Sequence, residues 1–362
     1  MEALQFTWFL IVGFLLIGYF VLDGFDFGVG MALPFVSKDD VDRRVVINTI
    51  GPVWDLNETW LIVAGACLFA SFPEWYATMF SGFYLALLLM LISLILRGVS
   101  FEYRHQGTHE RWSRWFDRFI VIGSVTPALL WGVAFGNLIQ GIPMRTLEFG
   151  GWSFTGSLFD LLTPYPLLTG LTTLFLFFSY GLSYLALKST GEVRERSRVL
   201  GRKVGLLTLL LAAAFIVWTV AMNINGELLW LVLVFGALAA ASLIASLLST
   251  HAGRDGWAFV WHLVTVVAAV GFIYFTLFPN LVVSATPGVE NLTIWNGSSS
   301  YNTLVLMSWI AGFMLPVVLA YQAWTFWVFR KRVGREHIPG AEVSLGSRQR
   351  DHGKNQAVAL KD

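Results

Sequence analysis

Four carboxylates stand out in this 362-residue chain because apolar sequence surrounds them. The stretch 13–61 reads GFLLIGYFVLDGFDFGVGMALPFVSKDDVDRRVVINTIGPVWDLNETWL. Asp23 and Asp26 lie late in one apolar run, and Asp55 and Glu58 open the next. Charge inside a lipid-compatible segment is costly and marks function or a specific partner. Each pair is spaced three residues apart, so on a helix each pair shares a face. A third apolar run ends at Arg97. One base cannot neutralise four acids, which leaves carboxyl groups free to exchange protons, as a relay requires. The chemistry on offer is proton transfer along Asp55, Asp23, Asp26 and Glu58, with Arg97 as counterion. Asn48, Asn57 and Thr59 are nearby neutral hydrogen-bond partners. The competing reading is a salt-bridge layer that only holds helices together, with Glu58 facing headgroups.

The elements that position these groups follow from composition. Hydrophobic residues make up 56% of the chain and charged ones 13%, which suits a bilayer solvent better than water. A spanning helix needs about 20 mostly apolar residues. Nine runs qualify, at about 8–30, 50–71, 76–97, 119–140, 161–187, 204–223, 228–249, 257–279 and 303–329. All are expected to be helical, since a helix satisfies its own backbone inside lipid. The expected fold is an all-α polytopic membrane domain over 1–333, followed by a polar, disordered tail over 334–362. Of the 24 Lys and Arg, 23 fall on one side of these runs and only Arg145 on the other. The positive-inside rule then puts the N-terminus outside and the tail in the cytoplasm. In that orientation Asp23, Asp26, Asp55, Glu58 and Arg97 share one layer about 10 Å deep, towards the cytoplasmic face.

Other chemistries have little support. A formal net charge of +1 gives no general attraction to nucleic acid. Cys67 is a single cysteine in an apolar run and reads as a small packing residue. Of six histidines only His262 falls well within a run, too few for a bis-His haem, so it reads as a hydrogen-bonded packing residue. No zinc-protease, phosphate-loop or cysteine-cluster motif occurs. The opening MEALQFTWFL lacks a basic n-region and reads as the start of a retained helix. Trp8, Trp75, Trp152, Trp257, Trp295, Trp324 and Trp327 lie near run ends, where interfacial anchors belong. Gly24 and Gly28 have the small-xxx-small spacing that lets helices approach closely.

Several longer motifs resemble subunit II of the cytochrome bd-type quinol oxidases. They are DGFDFGVG at 23–30, RRVVINTIGPVWDLNETWLI at 43–62 and FSGFYLALLLMLISLILRGVSFEYR at 80–104, then GVAFGNLIQGIP at 132–143, LFPNLVVSA at 277–285 and LTIWNGSSS at 292–300. The likeness runs in order from about residue 5 to 330. It implies two four-helix bundles (runs 1–4 over 8–140, runs 5–8 over 161–279) and a peripheral ninth helix at 303–329. It implies a bacterial cytoplasmic membrane protein whose partner, subunit I, carries haems b and d and the main quinol site. Quinol would be oxidised near the outer face, and dioxygen reduced to water with protons drawn from the cytoplasm. Asp55 matches an aspartate on a proton path at the subunit interface, and Asp23, Asp26 and Arg97 match the same polar region. Trp60 matches a tryptophan near a structural quinone in some members. The resemblance leaves room for a bound quinone or lipid and a small accessory subunit. It assigns no haem ligand to this chain. Leu56 departs from a common family glycine and narrows the space beside Asp55.

Two other classes compete. A proton-coupled secondary transporter would place its acids near the bilayer centre on broken helices, whereas these acids lie towards one face. An autonomous b-type cytochrome would need more histidines within the runs.

Overall fold

The computed structural model describes residues 1–107, 109–148, 151–224 and 226–339. Helix α1 (Glu2–Val36) is the hub. It packs against α3 (Trp54–Ser71), α6 (Glu110–Gln140), α7 (Pro164–Lys188), α10 (Asp255–Leu277) and α11 (Tyr301–Val328). Burial on nearly all sides explains why its sequence is apolar all round rather than striped. One group of helices combines α1, α3 and α6 with α4 (Pro73–Gly82) and α5 (Tyr84–Tyr103). The other is α7, α8 (Gly191–Met222), α9 (Leu229–His251) and α10, each packed on the next, with α10 returning to α7. The groups meet where α1 crosses α7. At Gly28 and Gly181 the two backbones touch, and neither glycine has space for a Cβ. This is the close approach expected at Gly28, with α7 as the partner.

Among the described residues eight helices are long and apolar enough to span a membrane, and a ninth span forms if α2 (Asp40–Ile50) and α3 count as one bent element. The bend is 45°. Pro52 explains it: it has no N–H to give to the ladder, so the ladder is interrupted there while Gly51 itself stays helical. Val53 N–H bonds Ile50 O, and the ladder restarts with Asn57 N–H to Val53 O. The third run is also divided, because α4 ends at Gly82 and α5 begins at Tyr84. Helix α11 is peripheral as expected, with only Leu304, Gln322 and Thr325 buried.

The loops between α6 and α7 and between α10 and α11 form one lid over the end that holds the N-terminus. Strands β1 (Met144–Thr146) and β2 (Trp152–Phe154) pair antiparallel, as do β3 (Asn280–Val282) and β4 (Leu292–Thr293). Ile142 and Val283 join the two hairpins, and Gln5 bonds Ser298 Oγ at 2.6 Å.

Two expectations change. Trp8 and Trp75 are 0% and 2% exposed, so they are core residues rather than interfacial anchors. Trp257, Trp295, Trp324 and Trp327 are exposed and keep the anchor reading. The boundary at 333/334 also moves. Arg335 hydrogen-bonds Asp39 at 3.1 Å and Asp42 at 2.5 Å, Ile338 is buried, and Pro339 O accepts from Arg44. A short polar sequence is docked here by ion pairs, which apolar periodicity does not reveal. The rest of the expected tail, 340–362, lies outside the described residues.

Candidate functional site

Helix α1 delivers Asp23 and Asp26 to the centre of the first helix group, both 0% exposed. Helix α5 delivers Arg97 to the same point, also 0% exposed, and its Nη2 donates to Asp23 Oδ1 at 2.9 Å. The guanidinium also lies over the Phe27 ring at 4.5 Å and near Phe101 at 5.7 Å, so aromatic faces share in stabilising its charge. Gly123 of α6 makes room for it, since a Cβ there would meet the Arg97 backbone and Cβ. Helix α3 adds Asn57, whose Nδ2 donates to Asp26 Oδ2 at 2.8 Å and to Leu22 O at 3.2 Å.

Glu58 is half-buried and within electrostatic reach of Asp23, Arg97 and Asp55. Asp55 does not join the cluster. It sits in the first turn of α3 on the exposed face, where the helix N-terminus favours negative charge. The five expected residues therefore form a gradient: Asp55 exposed, Glu58 at the wall, and Asp23, Asp26 and Arg97 inside. Asn48 and Thr59 are exposed and do not contribute, Thr59 bonding back to Asp55 O.

Five polar atoms of this cluster are buried without a protein partner: Asp23 Oδ2, Asp26 Oδ1, Glu58 Oε2, and Nε and Nη1 of Arg97. Buried polar groups are normally satisfied, so five orphaned atoms gathered in one cluster set it apart from a salt-bridge layer whose groups are all paired. The arrangement can hold and pass protons.

Two participants were not singled out from sequence. Tyr19 lies beside Asp23, and its hydroxyl accepts from Trp131 Nε1 at 3.3 Å. Its only signal is a position one turn before Asp23. Gln322 comes from α11, and its Nε2 donates to Asn57 Oδ1 at 2.9 Å. A lone glutamine within an otherwise apolar run was the available signal. Trp60, expected near a quinone, packs against Gly18 and Phe14 of α1 and donates to Gln322 Oε1 at 3.3 Å.

A separate apolar groove of about 650 Å³ opens between α3, α4 and α5, floored by α1 and α6. Phe69, Trp75, Tyr84, Leu88, Trp131 and Phe135 line it, and Trp60 does not. The Trp75 indole N–H is buried there without a protein acceptor.

Among the described residues the histidines are poorly placed to ligate a haem. Both ring nitrogens of His262 are engaged, Nε2 with Ser179 at 2.9 Å and Nδ1 with Ser246 and Ala258 O. His105, His109, His251 and His337 are exposed. Among the described residues no group of three His, Cys, Asp or Glu is arranged to hold a metal ion.

Fold and site together define a multi-pass α-helical membrane protein that keeps a buried acid cluster within its spanning helices. The chain belongs to the family described as cytochrome bd terminal oxidase subunit II, whose model matches residues 4–329. It is 37% identical to cytochrome bd-I ubiquinol oxidase subunit 2 of Escherichia coli K12, over 95% of this chain and 99% of that one. It is 35% identical to cytochrome bd ubiquinol oxidase subunit 2 of Bacillus subtilis 168, over 93% and 98%. Its fold matches the bd oxidase structure from Geobacillus thermodenitrificans with a TM-score of 0.70 at 17% identity, over 91% of this chain and all of that one. The spans and these relatives make it a multi-pass protein of the bacterial cytoplasmic membrane.

Proposed function

We propose that this chain supports a haem-bearing subunit I in a quinol:oxygen oxidoreductase and supplies that partner with protons. The observation that carries the reading is the group of orphaned polar atoms on Asp23, Asp26, Glu58 and Arg97. The end of the molecule bearing Arg43, Arg104, Arg196 and Arg335 faces the cytoplasm by the positive-inside rule. A proton enters at exposed Asp55, passes to Glu58 at the wall of the cluster, and reaches Asp23 and Asp26 inside. Arg97 pairs with Asp23 Oδ1 and supplies a positive charge among these acids. The haems of the partner supply the electron chemistry that converts dioxygen and protons to water. The apolar groove suits the tail of a quinone or lipid, and the Trp75 N–H offers a donor to a carbonyl there.

A proton-coupled transporter is the second reading, and the 45° break between α2 and α3 next to Asp55 is the feature that favours it. The test replaces Asp55 by Asn in the assembled complex and measures quinol-driven oxygen consumption beside the haem spectrum. Slower turnover, by about tenfold or more with unchanged haem content, is the expected outcome for loss of a group acting in proton transfer. Unchanged turnover removes Asp55 from the path, and loss of haem bands reassigns it to assembly.

A further inference from the structure

Helix α11 is exposed along almost its whole length, yet it buries one amide, Gln322, which is 6% exposed. That amide is the middle of a hydrogen-bond chain across three helices. Trp60 Nε1 donates to Gln322 Oε1 at 3.3 Å. Gln322 Nε2 donates to Asn57 Oδ1 at 2.9 Å. Asn57 Nδ2 donates to Asp26 Oδ2 at 2.8 Å. The direction of this chain is fixed by chemistry. An indole N–H can only donate, so Gln322 must turn its oxygen to Trp60 and its NH₂ to Asn57. Asn57 must then turn its oxygen to Gln322 and its NH₂ to Asp26. Leu22 O, which can only accept, takes a second hydrogen bond from Asn57 Nδ2 at 3.2 Å, so the α1 backbone and the chain from α11 hold Asn57 in the same orientation from opposite ends.

We propose that Trp60 and Gln322 are positioning residues for Asp26, bracing Asn57 together with Leu22 O as its donor and so leaving Asp26 Oδ1 as the oxygen that exchanges protons. This rests on the proton-path reading above for its consequence in turnover, but not for its effect on Asp26 itself. A donor to a carboxylate favours the charged form, so the chain tunes how readily Asp26 takes a proton. The titratable groups facing Asp26 are Asp23 on α1, Glu58 on α3, Arg97 on α5, and Tyr180 and Tyr184 on α7. Helix α11 contributes no charge there, only the polarity of the chain. The helix least buried in the fold thereby acts on one of its most buried acids.

The test uses the purified complex carrying Gln322→Met, which keeps length and apolar packing, or Trp60→Phe, which keeps a ring and loses the N–H. Infrared difference spectra across a pH series follow the carboxyl band that Asp26→Asn abolishes, alongside oxygen consumption. Both variants should move the midpoint of that band to higher pH by about one unit, a tenfold change in proton affinity. The double variant should shift no further than the larger single one, because both act through one chain. Thr325→Val, on the same buried side of α11 with its hydroxyl bonded to Tyr321 O, should leave the band in place. An unmoved band in Trp60→Phe overturns the proposal, as does a shift in Thr325→Val equal to that in Gln322→Met. If the band moves while Asp26→Asn keeps full turnover, positioning stands and the proton path through Asp26 fails.

Discussion

Asp23 and Arg97 are both fully buried and joined at 2.9 Å. Taking one partner from such a pair leaves an unpaired charge, which costs about 3–5 kcal/mol. Arg97→Gln should therefore lower the yield and thermal stability of the assembled complex more than Asp55→Asn, whose side chain is exposed. Asp23→Asn combined with Arg97→Gln removes both charges and should recover much of that loss, read as midpoint temperature of the haem-bearing complex. Turnover should stay low in the double variant, because neutrality restores packing and not proton exchange. Sequence alone showed that these residues are costly where they stand. It did not show that Asp55 lies outside the cluster, because positions 55 and 58 share a helix face only approximately and the bend at Pro52 sets how that face is turned.

At the scale of elements, the crossing of α1 and α7 has no tolerance for added atoms. Gly28→Ala places a methyl group against the Phe177 carbonyl and Gly181 backbone, and should destabilise by about 1–3 kcal/mol. Gly256, at the start of α10, has nothing within 4 Å of a Cβ, so Gly256→Ala should be neutral or stabilising by up to about 1 kcal/mol. Comparing thermal inactivation of the two variants separates crowding from helix propensity. Nine apolar runs were readable because each is long and uninterrupted on the scale of a bilayer. The breaks at Gly51–Val53 and at Phe83 were less readable, since runs are counted by hydropathy and a bend leaves hydropathy unchanged. The docking of α11 through Gln322 left only one mark in the sequence, a lone glutamine in an apolar run, because it depends on which side of a nearly uniform helix meets α3.

For the whole molecule, the segment after α11 is a strap across the basic end. Val333 N–H bonds Lys188 O, and Thr190 N–H bonds Val333 O. Arg335 then joins Asp39 and Asp42, while Arg196 reaches Asp42 at 2.6 Å. The strap links the α1–α2 loop to α7 and α8, and so ties the two helix groups together at that end. A chain ending at residue 333 should lose about 1–2 kcal/mol, given that these contacts are partly exposed. A chain ending at residue 339 keeps the strap and should be more stable than one ending at 333. Thermal inactivation of the two truncated complexes checks this, and equal stability would show that Arg335 contributes nothing.

The sequence by itself determined the solvent, the helical class, the approximate spans and the identity of the acidic residues, because each follows from local composition and from the cost of burying charge. The family likeness was equally legible, since its motifs are continuous in the chain. Only the tertiary structure decided which acids are buried together, which of their atoms lack protein partners, and that Trp60 and Gln322 reach Asp26 through Asn57. Those facts depend on helix rotation and on contacts between residues up to 265 positions apart in the chain. Hydropathy carries no record of either, because an apolar helix has nearly the same composition whichever way it is turned.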